Sequence, residues 1–312
     1  MAGLFFSAIL VGLGFLQALG LPAAMAQESQ AIKLRFAGAV NGVAFACGKN
    51  YPNVGTTKST ITPSDFRFFV SAVELLTQDG KAVPLALDQD GVWQHKNVAL
   101  VDLEDGSGPC GNGTKGIHAE VSGSAPRGNY SGVRFTMGVP FELNHGDPTV
   151  APSPLNITAM FWNWQGGYKF LKADMNSAGL AAKPAMHQMA AGHSDKASQA
   201  QGGHGDGEAS GFSVHLGSTM CAAASRTETP SACKNPNRVS VTFNKFDLGK
   251  NVIVADLGAI LRGANVDHNT PNTSPGCMSF PKDADCPAVM SALGLAYDGA
   301  APAGGQRFFS VK

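Results

Sequence analysis

Net charge is the first thing missing from this sequence. Lys plus Arg and Asp plus Glu balance at 23 each, and charged residues make up only 15% of its 312 positions. No basic run offers a phosphate backbone the cationic stripe it requires, which argues against nucleic acid as a partner. The common catalytic signatures are missing as well: there is no H-E-x-x-H, no G-x-S-x-G and no P-loop. Acidic residues form no cluster that would place two carboxylates for glycoside chemistry. An enzyme working through its own side chains is therefore not expected. No C-x-x-C pair occurs, which argues against a structural zinc framework. Aromatics with a polar edge are scarce, with three Trp and four Tyr in all. After residue 26 no apolar run is long enough to span a bilayer.

What is present points to an exported β protein. The chain has 38 Gly and 18 Pro against few charges, a balance typical of loop-rich extracytoplasmic domains. Residues 1–26 carry no charged side chain and hold an apolar run from Leu4 to Leu21. Ala24-Met25-Ala26 then has the A-x-A form of a signal-peptidase site, so the mature chain is expected to begin at Gln27, in the periplasm or outside the cell. The segment departs from the usual leader because no Lys or Arg precedes the run, and its competing reading is a membrane anchor. No Cys follows the site, so a lipid anchor is not indicated. All six cysteines lie beyond the leader: Cys47, Cys110, Cys221, Cys233, Cys277 and Cys286. An even count behind an export signal argues for disulfides. The short spacings of Cys221/Cys233 and Cys277/Cys286 favour two local staples and leave Cys47 with Cys110.

Along the mature chain the patterning is that of strands. Ala31 to Val40 alternates apolar and polar, and Ser64 to Leu76 is a long strand ending at the hairpin signal Asp79-Gly80. Lys81 to Leu87 would return as an edge segment, because Pro84 removes a ladder donor. Val98 to Leu103 reads as a short buried strand. Ile117 to Gly123 and Tyr130 to Val139 read as a strand pair, with a short helix expected from Leu155 toward Met160. Residues 173–211 are rich in Ala, Gly, Ser, Gln, His and Met without periodicity and read as a long mobile loop. Strands are expected again at 212–217 and 238–247, then a strand running into a short helix over 252–262, and a stapled end with helical turns from Pro287. The sum is a mostly β, sandwich-like single domain over 27–312 with long loops, a few short helices and disulfide staples.

The scarce aromatics are concentrated in one place. The run Met160-Phe161-Trp162-Asn163-Trp164-Gln165-Gly166-Gly167-Tyr168-Lys169-Phe170 holds two of the three Trp and one Tyr. In an extended strand Met160, Trp162 and Trp164 would share a face. Such a face is ordinarily core; it is also what half of a soft-metal site would look like, since thioether and imidazole suit Cu(I). His145 sits before Gly146-Asp147-Pro148 at a loop mouth, as a turn histidine or a ligand. His215 lies on a strand six residues before Cys221, and Met278 beside Cys277, where a staple would hold a thioether rigid. Their plain readings are a hydrogen-bonded structural histidine and an apolar plug. The 173–211 segment adds Met175, Met186, His187, Met189, His193 and His204, a set suited to Cu(I) capture or to nothing more than a linker. A different class of reading makes the chain a secreted carbohydrate- or surface-binding module, with Trp162, Trp164 and Tyr168 as a stacking platform.

Taken in combination, several motifs resemble one family. They are Phe135-Thr136-Met137-Gly138-Val139-Pro140, Leu143-Asn144-His145, Pro152-Ser153-Pro154-Leu155-Asn156, the Met160–Phe170 run, His215-Leu216-Gly217-Ser218-Thr219-Met220-Cys221 and Gly276-Cys277-Met278-Ser279 with Cys286. Trp93-Gln94, Val98 to Glu104 and Cys110 extend the likeness upstream. The chain so resembles the MbnP proteins of methanobactin operons, also called metallo-mystery-pair four-Cys-motif proteins. The resemblance implies a periplasmic copper-homeostasis protein that binds one Cu(I). It also implies that the first Trp of a W-x-W motif, here Trp162, is oxidised to kynurenine by an MbnH-like partner of the dihaem cytochrome c peroxidase/MauG type. A His and a Met complete the implied site, with His215 and His145, and Met160 and Met278, as candidates. The chemistry is sound: an indole N–H is only a donor, whereas the opened ring carries an amine and a ketone with lone pairs.

Overall fold

A computed structural model describes residue 3 and residues 28–163, 165–181, 211–225 and 228–312. Two sheets carry the architecture, and both follow from period-two alternation. Strand Ser29–Val40 turns Ile32, Leu34 and Phe36 inward. It pairs antiparallel with Glu120–Pro126 and parallel with Ile253–Asp256, which pairs with Phe309–Val311. The second sheet hangs on one long strand, Ser59–Leu76. The first half of that strand pairs with Leu171–Ser177, which pairs with Gly211–Leu216. Its second half pairs with Gly132–Met137, which pairs with Val239–Phe243. Val98–Asp102 runs along its other edge.

The sheets face each other across a phenylalanine core. Phe36, from the first sheet, lies 5.8 Å from both Phe68 and Phe135 of the second. Phe309 lies 5.4 Å from Phe68 and 5.2 Å from Phe135. All four contacts are edge-on, the geometry the ring quadrupole favours, and all four rings are buried. This is the mostly β sandwich that the patterning implied. The outer face of the second sheet is covered as well: Tyr168 sits edge-on to Phe69 at 5.6 Å, and the Phe69 N–H donates to the Phe170 carbonyl.

Three disulfides join Cys47 to Cys110, Cys221 to Cys233 and Cys277 to Cys286, as the spacings suggested. The second links directly opposed residues of the strand pair Thr219–Ala222 and Ala232–Asn235. The third ties helix Cys286–Ala292 to the segment that flanks Gly211–Leu216. Among the described residues no helix is long and apolar enough to cross a membrane. The expected leader, residue 3 apart, lies outside the described residues.

Four expectations need correction. Ile117 to Gly123 and Tyr130 to Val139 do not pair; Glu120–Pro126 belongs to the first sheet and Gly132–Met137 to the second. The return from Asp79-Gly80 splits at Leu85, with Ala82–Pro84 on Ser59–Leu76 and Ala86–Leu87 on Glu120–Pro126. The segment read as a loop over 173–211 begins as strand Leu171–Ser177 and helix Ala178–Ala181, and Met175 is core. Its remainder, 182–210, with Met186, His187, Met189, His193 and His204, lies outside the described residues. Finally, Met160 ends a 3-10 turn, Thr158–Met160, so strand parity does not link it to Trp162.

Alternation places a buried carboxyl on the outer face of this sheet, with a pH signature. Asp102 is fully buried and accepts hydrogen bonds from the Thr114 hydroxyl and the Glu104 N–H. Burial pushes its carboxyl up from 3.8 to about 7. Between those values the folded form binds more protons than the unfolded chain, so this group's contribution to stability falls as pH rises through that window and is flat above it. Asp102→Asn should therefore gain stability relative to the parent between about pH 5 and about pH 8, by at most a few kcal/mol. Denaturant unfolding at both pH values checks this; a gap that does not widen with pH would contradict it.

Candidate functional site

The site grows from strand Gly211–Leu216. Phe212, Val214 and Leu216 point into the core, so Ser213, His215 and, continuing the alternation, Gly217 belong to the outer face. Register carries that face across the sheet. His215 stands opposite Lys172, and Asp174 opposite Ser213. Lys172 and Asp174 in turn oppose Arg67 and Asp65, and Arg67 opposes Asp102. A row of charge thus runs under the outer covering, from Asp102 at one side to His215 at the other.

Within the row each group is tied to the next. Arg67 grips Asp65 through Nε at 2.9 Å and a second guanidinium nitrogen. The Lys172 ammonium reaches Asp65 and, at 2.6 Å, Asp174 Oδ2. Asp174 Oδ1 lies 2.6 Å from His215 Nε2. Burial works against charge on Asp174, but His215 and Lys172 hold its carboxyl well below the usual range. Burial pushes the His215 imidazole down, over the opposing pull of Asp174. Lys169 stands nearby with its ammonium on the Ala159 carbonyl at 2.9 Å; burial, with Lys172 adding, lowers it to about 8.

Trp162 is laid over this face by a short hairpin. Strand Phe161–Asn163 pairs with Gly167–Tyr168, and the turn is closed by the Gly166 N–H donating to Asn163 Oδ1 at 2.8 Å. Gly167 takes φ +72°, which a side chain would resist. The buried Asn144 accepts the Tyr168 N–H at 2.9 Å and fixes the hairpin to the body. The half-buried Trp162 ring then rests on Gly217 and against Phe280, 5.5 Å away between centroids. Only the missing side chain at 217 allows it. Two residues earlier on the same face is His215.

Met278 arrives from the other side. Val214 and Cys277 form a parallel bridge, with the Cys277 N–H on the Ser213 carbonyl and the His215 N–H on the Cys277 carbonyl. The Ser279 hydroxyl donates to the His215 carbonyl at 2.9 Å. This register sets the half-buried Met278 alongside His215, and the Cys277–Cys286 disulfide holds the segment there. Trp162, His215 and Met278 are therefore brought to one region of one sheet face.

The remaining candidates are held by other contacts. Met160 is fully buried in the apolar core. His145 is buried beyond Asn144, edge-on to Phe141 and with Nε2 3.5 Å from Cys233 Sγ. Two clusters of ligand-type atoms occur among the described residues, His145 with Cys221 and Cys233, and Glu104 with Cys47 and Cys110. In both, the sulfurs are paired as disulfides and offer no thiolate. Tyr168 is fully buried with its hydroxyl on the Leu155 carbonyl, so it offers no stacking face, and Trp164 lies outside the described residues. Sequence reasoning missed Asp65, Arg67, Lys172 and Asp174, although Lys172 and Asp174 at spacing two on a strand already share a face.

The donor set can be tested against a soft metal. An imidazole and a thioether suit Cu(I). Intact indole adds no lone pair, so Trp162 as encoded covers the place without supplying a ligand.

Comparisons with known proteins identify a family. A family model described as MbnP matches residues 29–279. Among solved structures, MbnP from Methylosinus trichosporium is similar with a TM-score of 0.74 at 29% sequence identity, over 91% of this chain and 98% of that one. No curated protein sequence matches.

A methyl group at position 217 tests the packing of Trp162. A Cβ there would lie 2.5 Å from Trp162 Cζ3 and 2.9 Å from the Tyr168 carbonyl oxygen. Gly217→Ala should displace the indole, shift tryptophan emission toward that of exposed rings and cost about 1–3 kcal/mol. Unchanged emission and stability would mean that the ring does not rest on Gly217.

Proposed function

The chain belongs to the MbnP family, and we propose that it is a Cu(I)-binding protein of periplasmic copper homeostasis whose site matures by oxidation of Trp162 to kynurenine. It is a binding protein and not itself an enzyme. The observation that carries this reading is the position of Trp162, its ring on Gly217 and so over the strand face to which His215 belongs. Oxidation there would turn a packed, ligand-free ring into a donor without moving the backbone. His215 and Met278 would hold the metal with the opened Trp162 side chain. Bound there, Cu(I) is a soft cation to be stored or passed on, and the residues around it exclude water and fix the donors.

The family's association with a dihaem cytochrome c peroxidase/MauG-type partner supports the source of the oxidation. Trp162 is half-buried, not sealed, so an edge of it faces an approaching protein. The alternative of a carbohydrate-binding module loses one of the three rings of its stacking platform with Tyr168 buried.

The test is mass and copper on the same sample, produced together with its dihaem partner. Kynurenine replaces one carbon by one oxygen, so the Trp162 peptide should gain about 4 Da and the protein should carry one copper per chain. Trp162→Phe, made with the same partner, should lose the copper and keep the fold. An unmodified Trp162 and no copper beside an active partner would overturn the proposal.

A further inference from the structure

We propose that Asp174 is the positioning residue of this site: by accepting the Nε2–H of His215 it leaves Nδ1 as the nitrogen whose lone pair is offered to the metal. The inference rests on the copper reading above but makes a separate statement about the protein before any metal binds.

The geometry divides the work of one carboxylate. Asp174 Oδ2 is taken by the Lys172 ammonium at 2.6 Å, and Oδ1 is left for His215 Nε2 at 2.6 Å. Lys172 is itself anchored on Asp65, which Arg67 grips through two nitrogens, and Arg67 is only 1% exposed. Asp174 is thus held from behind by a chain of charge that leaves it little freedom to turn away. An ionised carboxylate can only accept, so the ring nitrogen facing it must carry the proton. The opposite tautomer would set a nitrogen lone pair against a carboxylate oxygen. With Nε2 carrying the proton that Asp174 accepts, Nδ1 is the nitrogen left to offer a lone pair.

This is a device that metal-binding histidines need. The hydrogen bond on the far nitrogen fixes ring orientation and raises the basicity of the near one, and losing such a partner weakens metal binding by about 10–100-fold. Here the partner comes from strand Leu171–Ser177, one strand further into the sheet, so the rigidity of the sheet is transmitted to the ligand.

The experiment has two readouts. In apo-protein with unmodified Trp162, long-range proton–nitrogen correlation of the imidazoles reports the tautomer. The expected result is a pyrrole-type Nε2 and a pyridine-type Nδ1 for His215. Asp174→Asn has a single acceptor oxygen, which the Lys172 ammonium claims, so its amide would donate to Nε2 and should reverse the tautomer, and Asp174→Ala should remove the preference. Copper titration of the matured proteins should then show Cu(I) affinity about 10–100-fold weaker in both variants. Thermal unfolding of both variants separates this from loss of fold. A wild-type His215 protonated on Nδ1, or undiminished copper affinity in a folded Asp174→Ala, would overturn the assignment. If Asp174→Ala does not fold, the wild-type tautomer and Asp174→Asn still decide. A correct tautomer in a matured protein that takes up no copper would instead count against the functional reading alone.

Discussion

Everything at the site depends on a constraint as plain as strand alternation. Because Phe212, Val214 and Leu216 must face the core, Ser213, His215 and Gly217 cannot. A slip of one residue would bury the imidazole among phenylalanines and expose the core face. The apolar half of the strand thereby positions the polar half. The same parity on Ser59–Leu76 and Leu171–Ser177 collects Asp65, Arg67, Lys172 and Asp174 on that face, although they lie far apart in the chain. The site is the polar side of a sheet whose other side is the protein's core.

Burying so much charge is costly, and the arrangement shows how the cost is met. Removing one partner from such a buried pair typically costs about 3–5 kcal/mol, because the other charge is left uncompensated. Here the chain of contacts leaves neither acidic residue alone: Asp65 takes Arg67 and Lys172, and Asp174 takes Lys172 and His215. Such a network contributes little net stability compared with apolar packing, so its value lies in fixing geometry. The result is a rigid polar floor beside which Trp162 rests on Gly217. The Cys277–Cys286 disulfide adds the last restraint by holding the Met278 segment against the strand.

The fold was legible where local pattern and global role coincide. Ala31 to Val40, alternating at first, and Ser64 to Leu76, long and apolar up to a hairpin signal, form strands close to where expected. The two short cysteine spacings likewise matched real staples. What could not be read was which strand meets which. Glu120–Pro126 and Gly132–Met137 are adjacent in sequence and lie in opposite sheets, a choice made by tertiary packing. The Ala- and Met-bearing start of the 173–211 segment resembled the low-complexity stretch after it, yet Ala173 and Met175 fill the core. At the site, Trp162 stood out because Trp is rare. Asp174 did not, since nothing in its neighbourhood announces a histidine 41 residues away. Met160 and Met278 looked alike as thioethers; the fold buries Met160 after a 3-10 turn and leaves Met278 half-buried beside the bridge at Cys277.

The central claim is that the thioether alongside His215, and not the one adjoining Trp162 in sequence, completes the copper site. Copper K-edge X-ray absorption on the matured, copper-loaded protein reads this directly, because sulfur and the lighter donors scatter differently. The account predicts a sulfur contribution that persists in Met160→Leu and disappears in Met278→Leu. A sulfur contribution that survives Met278→Leu, or one that vanishes with Met160→Leu in a folded protein, would contradict it.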